Sequence, residues 1–238
     1  MNNLTSKTAL ITGGSKGIGF GIAQILMKQG INVVVTSRSL TSAEDAAREL
    51  NNNDQGKALG VKADVRNLID QQEAVRLTVE TFGSLDFVIA NAGLGHYASI
   101  EELTDHQWKE TIDTNLTGVF YTIKASVAEL KKSKGYFISI ASLAGTNFFA
   151  NGSAYNASKF GVVGFTQAVM LDLRQDDVKV STIMPGSVAS YFNGNEPGEK
   201  DAWKIQPQDV GELVVDLLKM NPRTLPSKIE VRPSKPAK

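Results

Sequence analysis

The 238-residue chain contains no cysteine. Disulfides, thiolate nucleophiles and cysteine-ligated zinc are therefore excluded, and a cytoplasmic setting is the expectation. Only two histidines are present, His96 and His106. They leave little material for a histidine-built metal site, and no metal is expected. Neither sign of charge dominates, since 25 Lys and Arg face 25 Asp and Glu. No net field favours nucleic acid or an anionic membrane, and neither partner is expected. No apolar run approaches the roughly 18–20 residues of a membrane span. The start, Met1-Asn2-Asn3-Leu4-Thr5-Ser6, lacks a basic region followed by an apolar run, so no secretory signal is expected.

What is present is alternation. Lys7 to Ile11 reads as a short buried strand, followed by a glycine-rich turn and an amphipathic helix to about Gly30. Further strands are expected at Ile31–Thr36, Ala58–Ala63, Leu85–Ala90, Tyr136–Ala141, Val178–Met184 and Ile229–Val231. Helical patterns lie between them, including one long helix from about His106 to Lys132 and a last one over Pro207–Lys219. Asn51-Asn52-Asn53-Asp54-Gln55-Gly56 reads as a polar turn. Strand–helix alternation of this kind predicts an α/β fold: a Rossmann-type doubly wound parallel sheet of about seven strands, helices on both faces. No linker or repeat divides the chain, so one domain over residues 1–238 is expected. Residues 187–206 read as a short mobile lid, and 232–238 as a Pro-rich basic tail, frayed or used at a subunit contact.

Ligands of such sheets sit beyond the strands' carboxyl ends. The first turn holds Gly13, Ser15, Lys16, Gly17, Ile18 and Gly19. A glycine turn before a helix N-terminus is an anion site, although glycines also occur simply at turns. After the second strand stand Ser37 and Arg38, where an NAD site would carry an acid. With Lys16 they suit a 2′-phosphate, favouring NADP(H) over NAD; the plain alternative is a solvated arginine. Asp64 and Val65 end the third strand. Asp64 could accept from an adenine amino group or cap the next helix, although Asn67 lies closer. Asn91, Ala92 and Gly93 close the fourth strand, Ser142 the fifth, and Pro185 and Gly186 the sixth. Asn115 is a poor helix former in an apolar stretch, so its amide needs a partner. His96 lines a pocket or sits in a loop, and the loop is the expectation.

Tyr155 and Lys159 lie at i and i+4, on one helical face. A cation beside a phenol favours the phenolate and lowers a pKa of about 10 towards neutrality. That would suit general acid–base work, although many i,i+4 pairs are only structural. The aromatics Phe148, Phe149, Tyr191, Phe192 and Trp203 suggest an apolar pocket or an interface, and the sequence does not apportion them.

The ordered set Thr12-Gly13-x-x-x-Gly17-Ile18-Gly19, Asn91-Ala92-Gly93, Asn115, Ser142, Tyr155-x-x-x-Lys159 and Pro185-Gly186 resembles the classical short-chain dehydrogenase/reductase family along nearly the whole chain. The resemblance implies roles. Tyr155 would be general acid in carbonyl reduction and general base in alcohol oxidation. Ser142 would hold the substrate oxygen. Lys159 would lower the tyrosine pKa and bind the nicotinamide ribose. Asn115 would hold a water linking Lys159 to solvent. The glycine loop would meet the pyrophosphate, and Val188 and Ser190 the carboxamide. It also implies a homotetramer or homodimer, with a small-molecule carbonyl or alcohol as substrate. The chain has Ala90 where the family often has Asn, and Ser190 where Thr is common. It lacks the C-terminal Gly-Gly segment typical of β-ketoacyl-carrier-protein reductases, and its lid is short. The resemblance therefore points to a general NADP-dependent carbonyl reductase. An NAD-preferring alcohol dehydrogenase and a non-catalytic NADP-binding regulator are the alternatives.

Overall fold

The computed structural model describes residues 4–52 and 55–236. Asn53 and Asp54 of the expected polar turn, the first three residues and the last two of the tail lie outside them. Seven strands are described: β1 Thr8–Ile11, β2 Asn32–Ser37, β3 Ala58–Lys62, β4 Phe87–Ala90, β5 Tyr136–Ile140, β6 Lys179–Pro185 and β7 Lys228–Val231. They form one sheet in the order β3-β2-β1-β4-β5-β6-β7, and every pairing is parallel. The helices are α1 Gly17–Lys28, α2 Leu40–Asn51, α3 Leu68–Phe82, α4 Asp105–Ile112, α5 Gly118–Ser133, α6 Ser153–Leu173 and α7 Pro207–Lys219.

Parallel strands need crossovers, and crossover helices cover both sheet faces. The strand residues alternate accordingly. Ile11, Val33, Val35, Ile89 and Ile138 join a core with Ile22, Leu26, Leu50 and Val214, from α1, α2 and α7. Their neighbours Leu10, Val34, Val88 and Phe137 join a second core with Val75, Ile123, Leu130 and Val162, from α3, α5 and α6. The central strands are thus buried on both sides, as their β-branched runs predict. A buried carboxylate locks the two middle strands at their starts. Asp86 accepts from the Thr8 backbone N–H at 3.0 Å, Lys7 Nζ at 2.7 Å and Ser84 Oγ at 2.8 Å.

Strand order reverses between β1 and β4, so the chain leaves these neighbours in opposite directions. A crevice opens beyond their carboxyl ends. Two details differ from the sequence expectation. The helix expected over 106–132 is two helices, α4 and α5, joined by a π-helical turn at Asp113–Thr117. One extra residue per turn re-aims the side chains, and Asn115 sits in that turn. The segment 187–206 is anchored at both ends by a parallel bridge between Val188 and Ile205. Ala189 N–H donates to Ile205 O at 2.9 Å, and Ile205 N–H to Ser187 O at 3.1 Å. The lid is therefore the loop between these residues, and its base belongs to the core, with Ala189 and Ile205 buried.

Candidate active site

The crevice is a cleft of about 1050 Å³. All sequence-predicted site residues line it except Gly19 and Asn115. Both exceptions lie behind the wall. A Cβ at Gly19 would stand 2.6 Å from Asn91 Nδ2 and 2.6 Å from Gly13 O. Gly19 therefore lets α1 pack against the turn rather than facing a ligand.

The turn itself is held from β4. Asn91 Nδ2 donates to Thr12 O at 2.9 Å and Gly13 O at 3.1 Å. Thr12 Oγ1 accepts from the N–H groups of Asn91 and Ala92 at 3.0 and 3.1 Å. Gly13 and Gly17 have φ of +62° and +58°, which a side chain would strain. No side chain caps α1, and its first turn carries no acid. Its N-terminal N–H groups are thus open to an anion at the cleft floor. This fits the pyrophosphate of a dinucleotide.

The other end of the cleft is charged. Arg38, with 64% of its side chain exposed, lies 4.0 Å from Glu110. Arg66 reaches the same carboxylate at 3.8 Å and grips Asp64, with Nη2 at 2.6 Å from Oδ2. The Arg66 hydrogen bonds hold the Asp64 carboxyl below its usual range. Asn67, not Asp64, caps α3, with Oδ1 accepting from Ile69 N–H at 2.9 Å. His96 is in a loop and also lines the cleft, its Nε2 2.8 Å from Glu110 Oε2. That hydrogen bond is the main cause of a lowered Glu110 pKa.

At the third corner, Tyr155 and Lys159 occupy the first two turns of α6. Lys159 is 4% exposed, and its Nζ donates to Ile140 O at 3.1 Å. That Nζ is 5.7 Å from the Tyr155 ring centroid. Ser142 ends β5 and starts a short 3₁₀ turn, with Oγ accepting from Ala144 N–H at 3.1 Å. Asn115 reaches α6 from the π turn. Its Nδ2 donates to Leu94 O at 2.8 Å and Ser158 Oγ at 3.0 Å, and its Oδ1 accepts from Leu94 N–H at 2.9 Å. Ser158 Oγ then donates to Tyr155 O at 2.8 Å. A Cβ at Gly93 would stand 3.3 Å from Asn115 Oδ1 and 3.7 Å from Lys159 Nζ, so the bare glycine keeps that space open.

The electrostatics correct one expectation. Burial pushes the Tyr155 phenol well above the usual tyrosine range; Tyr97 adds to the rise, and the polar Ser142 hydroxyl opposes it. Burial pushes the Lys159 ammonium down to about 8. Desolvation of the phenol outweighs the pull of the neighbouring cation.

The sequence reading also missed residues. Tyr97 packs edge-on to Tyr155 at 5.5 Å, and Glu110 and Thr114 line the cleft one turn apart. The spacing of Glu110 and Thr114 was visible, but the loop position of Tyr97 gave no signal. The aromatics are now apportioned. Phe149, Tyr191, Phe192 and Trp203 line the cleft, and Phe148 is 86% exposed outside it.

A family model described as short chain dehydrogenase matches residues 7–201. The chain belongs to the short-chain dehydrogenase family. An oxidoreductase of Staphylococcus aureus strain MW2 is 33% identical over 234 residues, 98% of this chain and all of that one. An alcohol dehydrogenase from the archaeon Thermococcus sibiricus, solved with 5-hydroxy-NADP, superposes with a TM-score of 0.90. It is 30% identical and covers 98% of this chain and 99% of its own. A 3-ketoacyl-ACP reductase from Sinorhizobium meliloti 1021 superposes at 0.86, with 31% identity, 94% of this chain and 97% of its own. This short-chain dehydrogenase is thus an oxidoreductase of a family that binds a nicotinamide cofactor. Among the described residues no helix is long and apolar enough to cross a membrane, and no cluster of metal-ligating side chains occurs.

The buried lysine generates a stability prediction. Its pKa is depressed from 10.5 to about 8 in the folded state. Its contribution to stability is therefore whole above about pH 10.5 and lost as pH falls through about 8. Lys159→Met removes that loss. At pH 7 the cofactor-free variant should be more stable than the parent, by up to about 3 kcal/mol, and catalytically dead. The difference between the two should shrink as pH rises from 8 towards 10.5. Urea titrations across that window check it; a constant or growing difference would contradict it.

Proposed function

We propose that this short-chain dehydrogenase reduces a small carbonyl compound with NADPH, or oxidises the corresponding secondary alcohol. The observation that carries the reading is the grouping of Ser142, Tyr155 and Lys159 at one corner of the cleft. When bound, the nicotinamide supplies the hydride for reduction or accepts it in oxidation.

The chain's own residues do the rest. Ser142 Oγ donates to the substrate oxygen and stabilises charge as it develops there. Tyr155 gives its proton to the same oxygen, or takes it back in the reverse direction. Lys159 stabilises the phenolate left behind, and binds the nicotinamide ribose hydroxyls. Asn115 fixes α6 through Ser158, and its remaining Oδ1 lone pair suits a water on the way from Lys159 to solvent. The Gly13–Gly19 turn and the start of α1 hold the pyrophosphate. Val188 and Ser190 take the carboxamide. Asp64 and Val65 face the adenine.

NADP preference is supported by Arg38 at the end of β2, with no acid beside it on that strand end. Lys16 adds a second cation on the cleft lining. Oligomerisation is supported by exposed aromatics on the same outer layer: Phe120 on α5, Phe160 on α6 and Trp108 on α4. Such side chains cost hydrophobic free energy in water and suit a subunit contact.

Three measurements test this reading. Tyr155→Phe should lower turnover at least about 10²-fold, with NADPH affinity nearly unchanged. Full activity in that variant would sink the assignment. Arg38→Asp should weaken NADPH about 10-fold or more and leave NADH nearly untouched, read by fluorescence titration of both. Equal losses for the two cofactors would count against the phosphate role. Sedimentation equilibrium should show a dimer or tetramer, and Phe120→Glu should shift it towards monomer; a parent protein that is already monomeric would remove the oligomer from the proposal.

A further inference from the structure

The corner around Tyr155 is aromatic on the side away from Ser142 and Lys159. Tyr97 stands edge-on to the Tyr155 ring at 5.5 Å. Phe192, from the lid, lies 5.7 Å from the same ring. Phe149 backs Tyr97 at 5.8 Å. A Cβ at Gly95 would meet both Phe192 Cζ and Tyr97 Oη at 3.1 Å, so a bare glycine makes room for the two rings. None of these three side chains carries charge. Beside Lys159, which lies under the Tyr155 ring, the cations on this side of the cleft are paired: Lys204 to Asp201 at 2.6 Å and Arg232 to Glu230 at 2.9 Å. Among the described residues, a carboxylate or phosphate on the substrate would have to compete with Asp201 or Glu230 for Lys204 or Arg232.

Aromatic faces and edges attract one another beyond the area they bury, at centroid separations of about 4.5–7 Å. The Phe192 ring, tilted by 55° to that of Tyr155, already makes one such contact. The geometry points to a substrate that brings its own ring. We propose that the carbonyl compound is an uncharged aryl ketone or aryl carbinol, and that Tyr97 and Phe192 set this preference. The proposal rests on the reductase reading above. In reduction the carbonyl carbon gains a hydride from the reduced nicotinamide, and the oxygen gains the Tyr155 proton. The C=O π bond is replaced by C–H and O–H bonds, and two electrons leave the nicotinamide.

The test compares acetophenone with 2-octanone, which has the same number of carbons, using the full-length protein and NADPH. The ratio of kcat/KM should favour acetophenone about 10-fold or more, the combined effect of two ring contacts. Tyr97→Ala and Phe192→Ala should each cut that ratio about 3-fold or more, while Tyr97→Phe keeps it. A ratio near one in the parent protein overturns the inference and leaves the reductase reading standing. So does a ratio unmoved in both alanine variants when they keep the parent's melting temperature. Binding separates the two levels. Ligand-observed NMR on NADPH-loaded Tyr155→Phe should show acetophenone, but not 2-octanone, in competition with 1-phenylethanol. If no carbonyl compound is turned over and this binding preference persists, the ring pocket is upheld and the catalytic reading fails.

Discussion

One buried amide holds the catalytic corner together. Asn115 commits Nδ2 to both Leu94 and Ser158, and Oδ1 to Leu94. The loop after β4 and the start of α6 are thereby fixed to the same side chain. An unmade hydrogen bond at such a site costs about 1–3 kcal/mol, so the amide dictates where both backbones run. Through Ser158 it also holds the carbonyl of Tyr155. A regular α-helix through residues 105–133 would turn this side chain by about 100° per residue, with no freedom to adjust. The π turn at Asp113–Thr117 supplies that adjustment. Helix geometry has yielded locally to the needs of one polar group.

The same corner shows a conflict between stability and chemistry. Lys159 is buried against a carbonyl and forms no ion pair among the described residues, and its burial lowers its pKa. Tyr155 is driven the other way by the same loss of water. A core that only had to fold would place apolar side chains here. The site retains two titratable groups whose burial shifts them in opposite directions, each towards its neutral form. Perturbed groups of this kind cluster where protons move.

The fold was almost fully legible, because its signal is periodic. β-Branched runs marked β2 and β6, and a doubly buried parallel strand has few other ways to be written. The cleft was legible for a related reason: its residues follow strand ends, and strand ends can be counted. What was illegible depended on long-range contact. Tyr97 sits in a loop whose position no local pattern specifies, yet it packs on Tyr155. The Glu110 cluster joins β2, the loop after β3, the loop after β4 and α4, four places far apart in the chain. Gly19 carried the right motif but the wrong task, since a motif does not tell a ligand contact from a packing contact. The sign of the Tyr155 shift was misjudged because sequence spacing shows a neighbouring charge but not the depth of burial.

The cleft therefore has two chemistries separated along its length. One end gathers Arg38, Arg66, Asp64, Glu110 and His96 in an exposed network of charge. The other surrounds a buried phenol with rings. Charges near solvent are screened, so the first end is held by several partners at once, and no single pair is worth much. Rings out of water act at short range and depend on shape. A change at the charged end should alter which dinucleotide is held, and a change at the aromatic end which compound reacts. The loop after β4 touches both: His96 faces the carboxylate and Tyr97, the next residue, faces the phenol. Two adjacent residues of one loop thus serve both ends of the cleft.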